Sequence, residues 1–149
     1  MNDASMIPPD QFADLIAQAT DEQLAEGMAS NRDVILQEIF NRWPDQFRSD
    51  AARDVKAVIE WRITRPEGGE DRWQIKLEGG SCSVARDGDV PEPDVVFTVA
   101  PVDFVKLIAG VESGPKLFVF GRLKIRGNLM LAARVQGFFR APSPSAPAS

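Results

Sequence analysis

Four carboxylates, Asp87, Asp89, Glu92 and Asp94, fall close together. A close pair of carboxyls is the one acid–base device this chain could field. They are interleaved with Gly88, Pro91 and Pro93, which is loop chemistry, so they read as solvated surface. Cys82 is the single cysteine, and the chain has neither histidine nor tyrosine. A serine triad, a Cys-His dyad and His-ligated zinc or iron are therefore excluded, and one thiol cannot make a thiolate cluster. Cys82 has no basic neighbour in sequence to lower its pKa. No Gly-rich phosphate motif is present; Gly68-Gly69 and Gly79-Gly80 sit between strand-like runs and not ahead of a helix, so they are turns. We expect no catalytic residue, no metal and no cofactor.

What the chain carries instead is apolar surface, densest over residues 103–127. Phe104, Leu107, Ile108 and Val111 fall at helical spacing behind Pro101, a good first helical residue, and Gly110 is a stop signal. Pro115 can open a short helix bearing Leu117, Phe118 and Phe120. Between Gly121 and Gly127 the pattern changes to period two: Arg122, Lys124 and Arg126 on one face, Leu123 and Ile125 on the other. The cationic face is expected to be solvated, with cross-strand partners such as Glu60 or Glu78. Asn128 then caps a final helix whose apolar face is Leu131, Val135 and Phe138, with Phe139 beside them.

The elements that position this segment lie upstream. Residues 1–9 are expected to be loose. A first amphipathic helix carries Phe12, Leu15, Ile16 and Ala19; Asp21 caps a short second helix with Leu24 and Met28; Asn31 caps a longer one with Ile35, Ile39 and Trp43 inward. From Val55 the period becomes two. Ala57, Ile59, Trp61 and Ile63, then Trp73, Ile75 and Leu77, then Cys82 and Val84 mark three strands joined by the turns at 66–69 and 79–80, an antiparallel meander. Residues 94–100 make a fourth strand. Residues 141–149 are Pro, Ser and Ala and form a disordered tail.

At 149 residues the chain is one domain. A net charge of -5 and a pI of about 4.8 argue against nucleic acid. No apolar run is long enough for a transmembrane helix, and no signal peptide is visible. One unpaired cysteine suits a reducing cytoplasm, and the C-terminus lacks an S-K-L-type address. A cytoplasmic protein is expected.

The order Asp94-x-x-Phe97-Thr98, then Asp103-Phe104-x-x-Leu107-x-x-Gly110, then Gly121-Arg122-Leu123-Lys124-Ile125-x-Gly127-Asn128 resembles the sterol carrier protein 2 (SCP2-like) family over residues 10–139. The resemblance implies an α+β fold: a five-stranded, mostly antiparallel sheet covered on one face by helices, with an apolar tunnel between. It implies a lipid-binding domain over residues 10–140 that holds a fatty acid, fatty acyl-CoA or sterol-like lipid without catalysis. Partners would be that lipid, a transient membrane contact, and a homodimer or enzyme partner; the alternative function is an accessory module assisting a lipid- or quinone-modifying enzyme. The family often has Gln where this chain has Phe120, which implies a greasier cavity. On this reading Trp61, Phe97, Phe104, Leu107, Ile108, Phe118, Phe120, Leu123, Met130 and Leu131 line the tunnel, and Trp73 and Phe138 also point inward. Burying about 14 methylenes at ~0.8 kcal/mol each gives roughly 11 kcal/mol gross, of which association takes back several, so no charged anchor is required.

Overall fold

A computed structural model describes residues 9–50 and 52–138. Helix α1 (Pro9–Gln18) begins at Pro9, one residue inside the segment expected to be loose. The rest of that segment, Phe139 and the tail over 141–149 lie outside the described residues. Helix α2 (Asp21–Asn41) is capped by Thr20 and not by Asp21: the Thr20 hydroxyl accepts from Gln23 N while the Gln23 side chain accepts from Thr20 N. That reciprocal pair satisfies two otherwise orphaned donors. The two helices expected here are continuous but kinked at Asn31 (φ -131°, ψ 30°). Beyond the kink the buried face is Leu36 and Phe40, with Ile35 and Ile39 only partly covered. Trp43 is buried in the 3-10 turn Trp43–Gln46 that follows.

Strands β1 (Ala57–Thr64), β2 (Glu70–Glu78), β3 (Ser81–Arg86), β4 (Val95–Val99) and β5 (Leu123–Gly127) form one sheet in the order β3-β2-β1-β4-β5. β1–β2, β2–β3 and β4–β5 run antiparallel and β1–β4 parallel. The β2–β3 turn uses Gly79 and Gly80, both at positive φ, which suits the twist of a tight hairpin. β3 must then reach β4 across two intervening strands. The loop over 87–94 does so on the sheet's outer face, fastened by paired hydrogen bonds between the Gln74 amide and the Val90 backbone (2.8 and 3.1 Å). This covers Gln74 and Glu60 completely. The carboxylates of that loop act as braces: Asp94 Oδ2 accepts from Val58 N at 2.7 Å and Asp89 accepts from Lys76.

The inner face carries Ile59, Trp61, Ile63, Trp73, Ile75, Leu77, Val95, Phe97 and Val99, all buried, in the alternation expected from sequence. Helices α3 (Pro101–Ile108) and α4 (Gly114–Val119) connect β4 to β5, and α5 (Leu129–Phe138) follows β5. α3 touches β1, α1 and α2, and α5 lies against β4 and β5. Asn128 caps the start of α5, its Oδ1 accepting from Leu131 N at 3.0 Å. The fold is the α+β arrangement implied by the family resemblance. No helix among the described residues is long and apolar enough to cross a membrane.

Candidate functional site

Between sheet and helices the inner surface converges on rings. Phe40 stacks on Trp73 (centroids 4.5 Å), on Trp43 (5.2 Å) and on Phe104 (5.5 Å). Trp61 stacks on Phe97 (4.7 Å) and meets Phe104 edge-on (5.3 Å). The chain builds this stack from local rules. Trp61, Trp73 and Phe97 occupy one cross-strand row, since Trp61 pairs with both Trp73 and Phe97 and side chains in register share a face. Phe40 and Phe104 reach the row from above, each fully buried.

Seven of the ten residues expected to line a lipid tunnel face or flank this interior. Trp61, Phe97, Phe104, Leu123 and Leu131 are buried in it, and Leu107 and Ile108 pack against it. The other three do not point inward. Phe118 is 48% exposed, Phe120 66% and Met130 81%. α4 spans only six residues and anchors itself through Leu117, which is fully buried; its neighbours are rotated outward. At the start of α5 the inward positions are Leu131 and Ala132, which turns Met130 to solvent. The greasier cavity expected from Phe120 is corrected accordingly: that ring adds to the surface.

The cationic stripe also needs correcting. Arg122 lies before β5 and forks onto the buried carboxylate of Asp103 (Nε at 3.1 Å). Lys124 and Arg126 stand opposite Thr98 and Val96, not acids.

Phe40 has a faint signal in the sequence, its i,i+4 relation to Leu36. Two other features depend on tertiary contacts that local sequence does not specify. Asp71, 6% exposed, accepts from Arg32 Nε at 2.6 Å and from Arg65 at 2.6 Å, while Arg32 also donates to the Ile63 carbonyl at 2.7 Å. Burial alone would raise the Asp71 carboxyl, but hydrogen bonds from the two guanidinium groups outweigh it and hold the pKa below its ordinary value. The other is an open groove of about 580 Å³ between α1 and the first half of α2, lined by Leu15, Ile16, Ala19, Leu24 and Gly27 among others. Its floor, Ile16 and Leu24, belongs to the main apolar cluster.

The interior has little reactive chemistry. Cys82 is partly buried, and burial pushes its thiol up to about 11, leaving it protonated at neutral pH. The indole N–H groups of Trp61 and Trp73 are buried with no hydrogen-bond partner among the described residues.

Residues 36–140 match the family model described as the SCP-2 sterol transfer family. The oleate-induced peroxisomal protein POX18 of Candida maltosa is 32% identical over 76% of this chain and 91% of its own length. The peroxisomal multifunctional enzyme type 2 of Mus musculus is 31% identical over 75% of this chain, which corresponds to only 15% of that enzyme. Among solved structures, sterol carrier protein 2 from Aedes aegypti in complex with the C16 fatty acid palmitate shares the fold, with a TM-score of 0.53 at 17% identity, over 70% of this chain and 93% of that one.

Proposed function

The chain belongs to the SCP-2 sterol transfer family, and we propose that it binds a lipid non-covalently in the apolar layer between sheet and helices and carries or presents it. The observation that carries this reading is the aromatic interior, where Trp61, Phe97 and Phe104 meet with no charged side chain among them. Such a site recognises by shape and desolvation, which is what a hydrocarbon chain requires. Fatty acid is the class we favour, supported by the palmitate held by the Aedes aegypti relative. The unpartnered indole N–H groups of Trp61 and Trp73 favour a lipid bearing an acceptor oxygen over a bare hydrocarbon, since a buried donor without a partner is costly.

The wall we assign is Trp61, Phe97, Phe104, Leu107, Ile108, Leu123 and Leu131, within a binding unit of residues 10–140. The groove between α1 and α2 is the route of access, because its floor is continuous with the core. No bond of the lipid is made or broken in this scheme. The cytoplasm is the proposed compartment, in keeping with one free cysteine.

The chain corresponds to a small part of the mouse multifunctional enzyme, which supports a second reading as an accessory module for a lipid-modifying enzyme. Native mass spectrometry followed by lipid extraction separates the two: a carrier retains a co-purifying lipid, and a module is a ligand-free dimer. Ile108→Trp enlarges a side chain of the wall and is expected to weaken a fluorescent fatty acid at least about tenfold with the far-UV spectrum unchanged. Full affinity in that folded variant would sink the proposed location.

A further inference from the structure

The C-terminal part of the described chain carries the opposite charge to the rest. Residues 113–138 contain Lys116, Arg122, Lys124, Arg126 and Arg134 and no acid, in a chain of net charge -5. The same segment supplies five of the seven large apolar side chains that are exposed among the described residues: Phe118, Val119 and Phe120 before β5, Leu129 and Met130 after it. β5 is an edge strand, and its two ends are roughly 13 Å apart at the usual rise per residue. Its outward residues Lys124 and Arg126 make no ion pair among the described residues. Exposed apolar side chains therefore bracket, at one edge of the sheet, two cations with no ion pair among the described residues.

We propose that this edge, α4 with β5 and the start of α5, is a docking surface for an anionic lipid bilayer. Two weak signals act together there: aromatic and aliphatic side chains to enter the headgroup boundary, and cations to meet lipid phosphates. Lysine on an exposed strand edge opposes pairing with another strand, so a second copy or a strand-adding protein fits this edge less well. The surface does not depend on the interior being loaded.

The test is flotation of the full chain with vesicles of phosphatidylcholine alone and with about 30% phosphatidylglycerol added, at low salt and at about 0.5 M salt. Binding is expected on the anionic vesicles only, with release by salt. Lys124→Glu/Arg126→Glu and, separately, Phe118→Ser/Phe120→Ser are each expected to lower vesicle affinity by at least about tenfold. Far-UV spectra should be unchanged, since the apolar pair is exposed and the cations carry no ion pair among the described residues. The proposal is overturned by absence of flotation on anionic vesicles, by loss in only one of the two variants, or by undiminished binding in both. A self-associating species that ignores vesicles and disperses in Phe118→Ser/Phe120→Ser also overturns it, in favour of a protein interface. Lipid held in the interior is read by extraction, so failure here leaves the carrier reading standing, and an empty interior leaves the docking surface standing.

Discussion

At Asp71 a carboxylate sits almost out of water between Arg32 and Arg65, and this ties the kink region of α2 to the first hairpin. Its folded pKa lies below the ordinary 3.8, so the folded state holds the ionised form more firmly than the unfolded chain does. The resulting stability is complete above that ordinary value and is lost as pH falls through the folded one. Asp71→Asn is expected to cost about 3 kcal/mol at pH 7, because Arg32 would be left buried without its charge partner. Urea unfolding at pH 7 and near pH 3 checks both statements: the variant should lose much of the difference between the two. A wild-type and variant gap that stays constant with pH would show that the interaction is not electrostatic. Nothing in local sequence announces this cluster, since Arg32 and Asp71 lie 39 residues apart and are joined only by topology. Trp61 and Phe97 are the opposite case. Period-two alternation fixed their side of the sheet before any pairing was known, and the structure places them in contact.

α4 shows how element length decides legibility. The five strands, the helix start at Pro101 and the cap at Asn128 follow from patterns several residues long, and they stand where expected. A helix of six residues has fewer than two turns, so composition alone does not say which of Leu117, Phe118 and Phe120 faces in; the neighbouring Leu123 and the Asp103–Arg122 fork settle it. Leu117→Ala is therefore expected to cost about 3 kcal/mol, and Phe118→Ser/Phe120→Ser to stay within about 0.5 kcal/mol per site of wild type. Denaturation midpoints at equal m-value would check this; a large cost for the phenylalanine pair would mean that these rings are covered in solution. The kink in α2 is another element-scale feature, legible as two caps and resolved as one bent helix. On its first half Gly27 lines the groove, with open space where a Cβ would stand.

For the molecule as a whole, the issue is how a lipid enters a layer where stacked rings already touch. Phe40 stacks on Trp73 and Phe104, and Phe104 meets Trp61 edge-on, so at the proposed site a hydrocarbon chain must part helices from sheet as it goes in. Helix α2 meets the sheet through the Phe40–Trp73 stack and the Arg32–Asp71 pair among other contacts, and its kink at Asn31 lies beside the groove, so in the proposed scheme the α1–α2 layer is the side that yields. Separating ring contacts costs dispersion energy that the incoming methylenes return, so the loaded protein should be the more stable one. With palmitate at about 100 times its dissociation constant the gain is about 2.7 kcal/mol, or roughly 5–10 °C in Tm for a chain of this size. Trp61 and Trp73 lie in the layer that opens, so loading should also shift tryptophan fluorescence, with the same midpoint as the stability gain. Filling the groove with Gly27→Trp should slow the fluorescence change several-fold. The final Tm should rise as in wild type, because in the proposed scheme the groove is the route and not the resting place. Unaltered loading kinetics in that folded variant would move the route elsewhere, and a Tm indifferent to palmitate would remove fatty acid from the interior altogether.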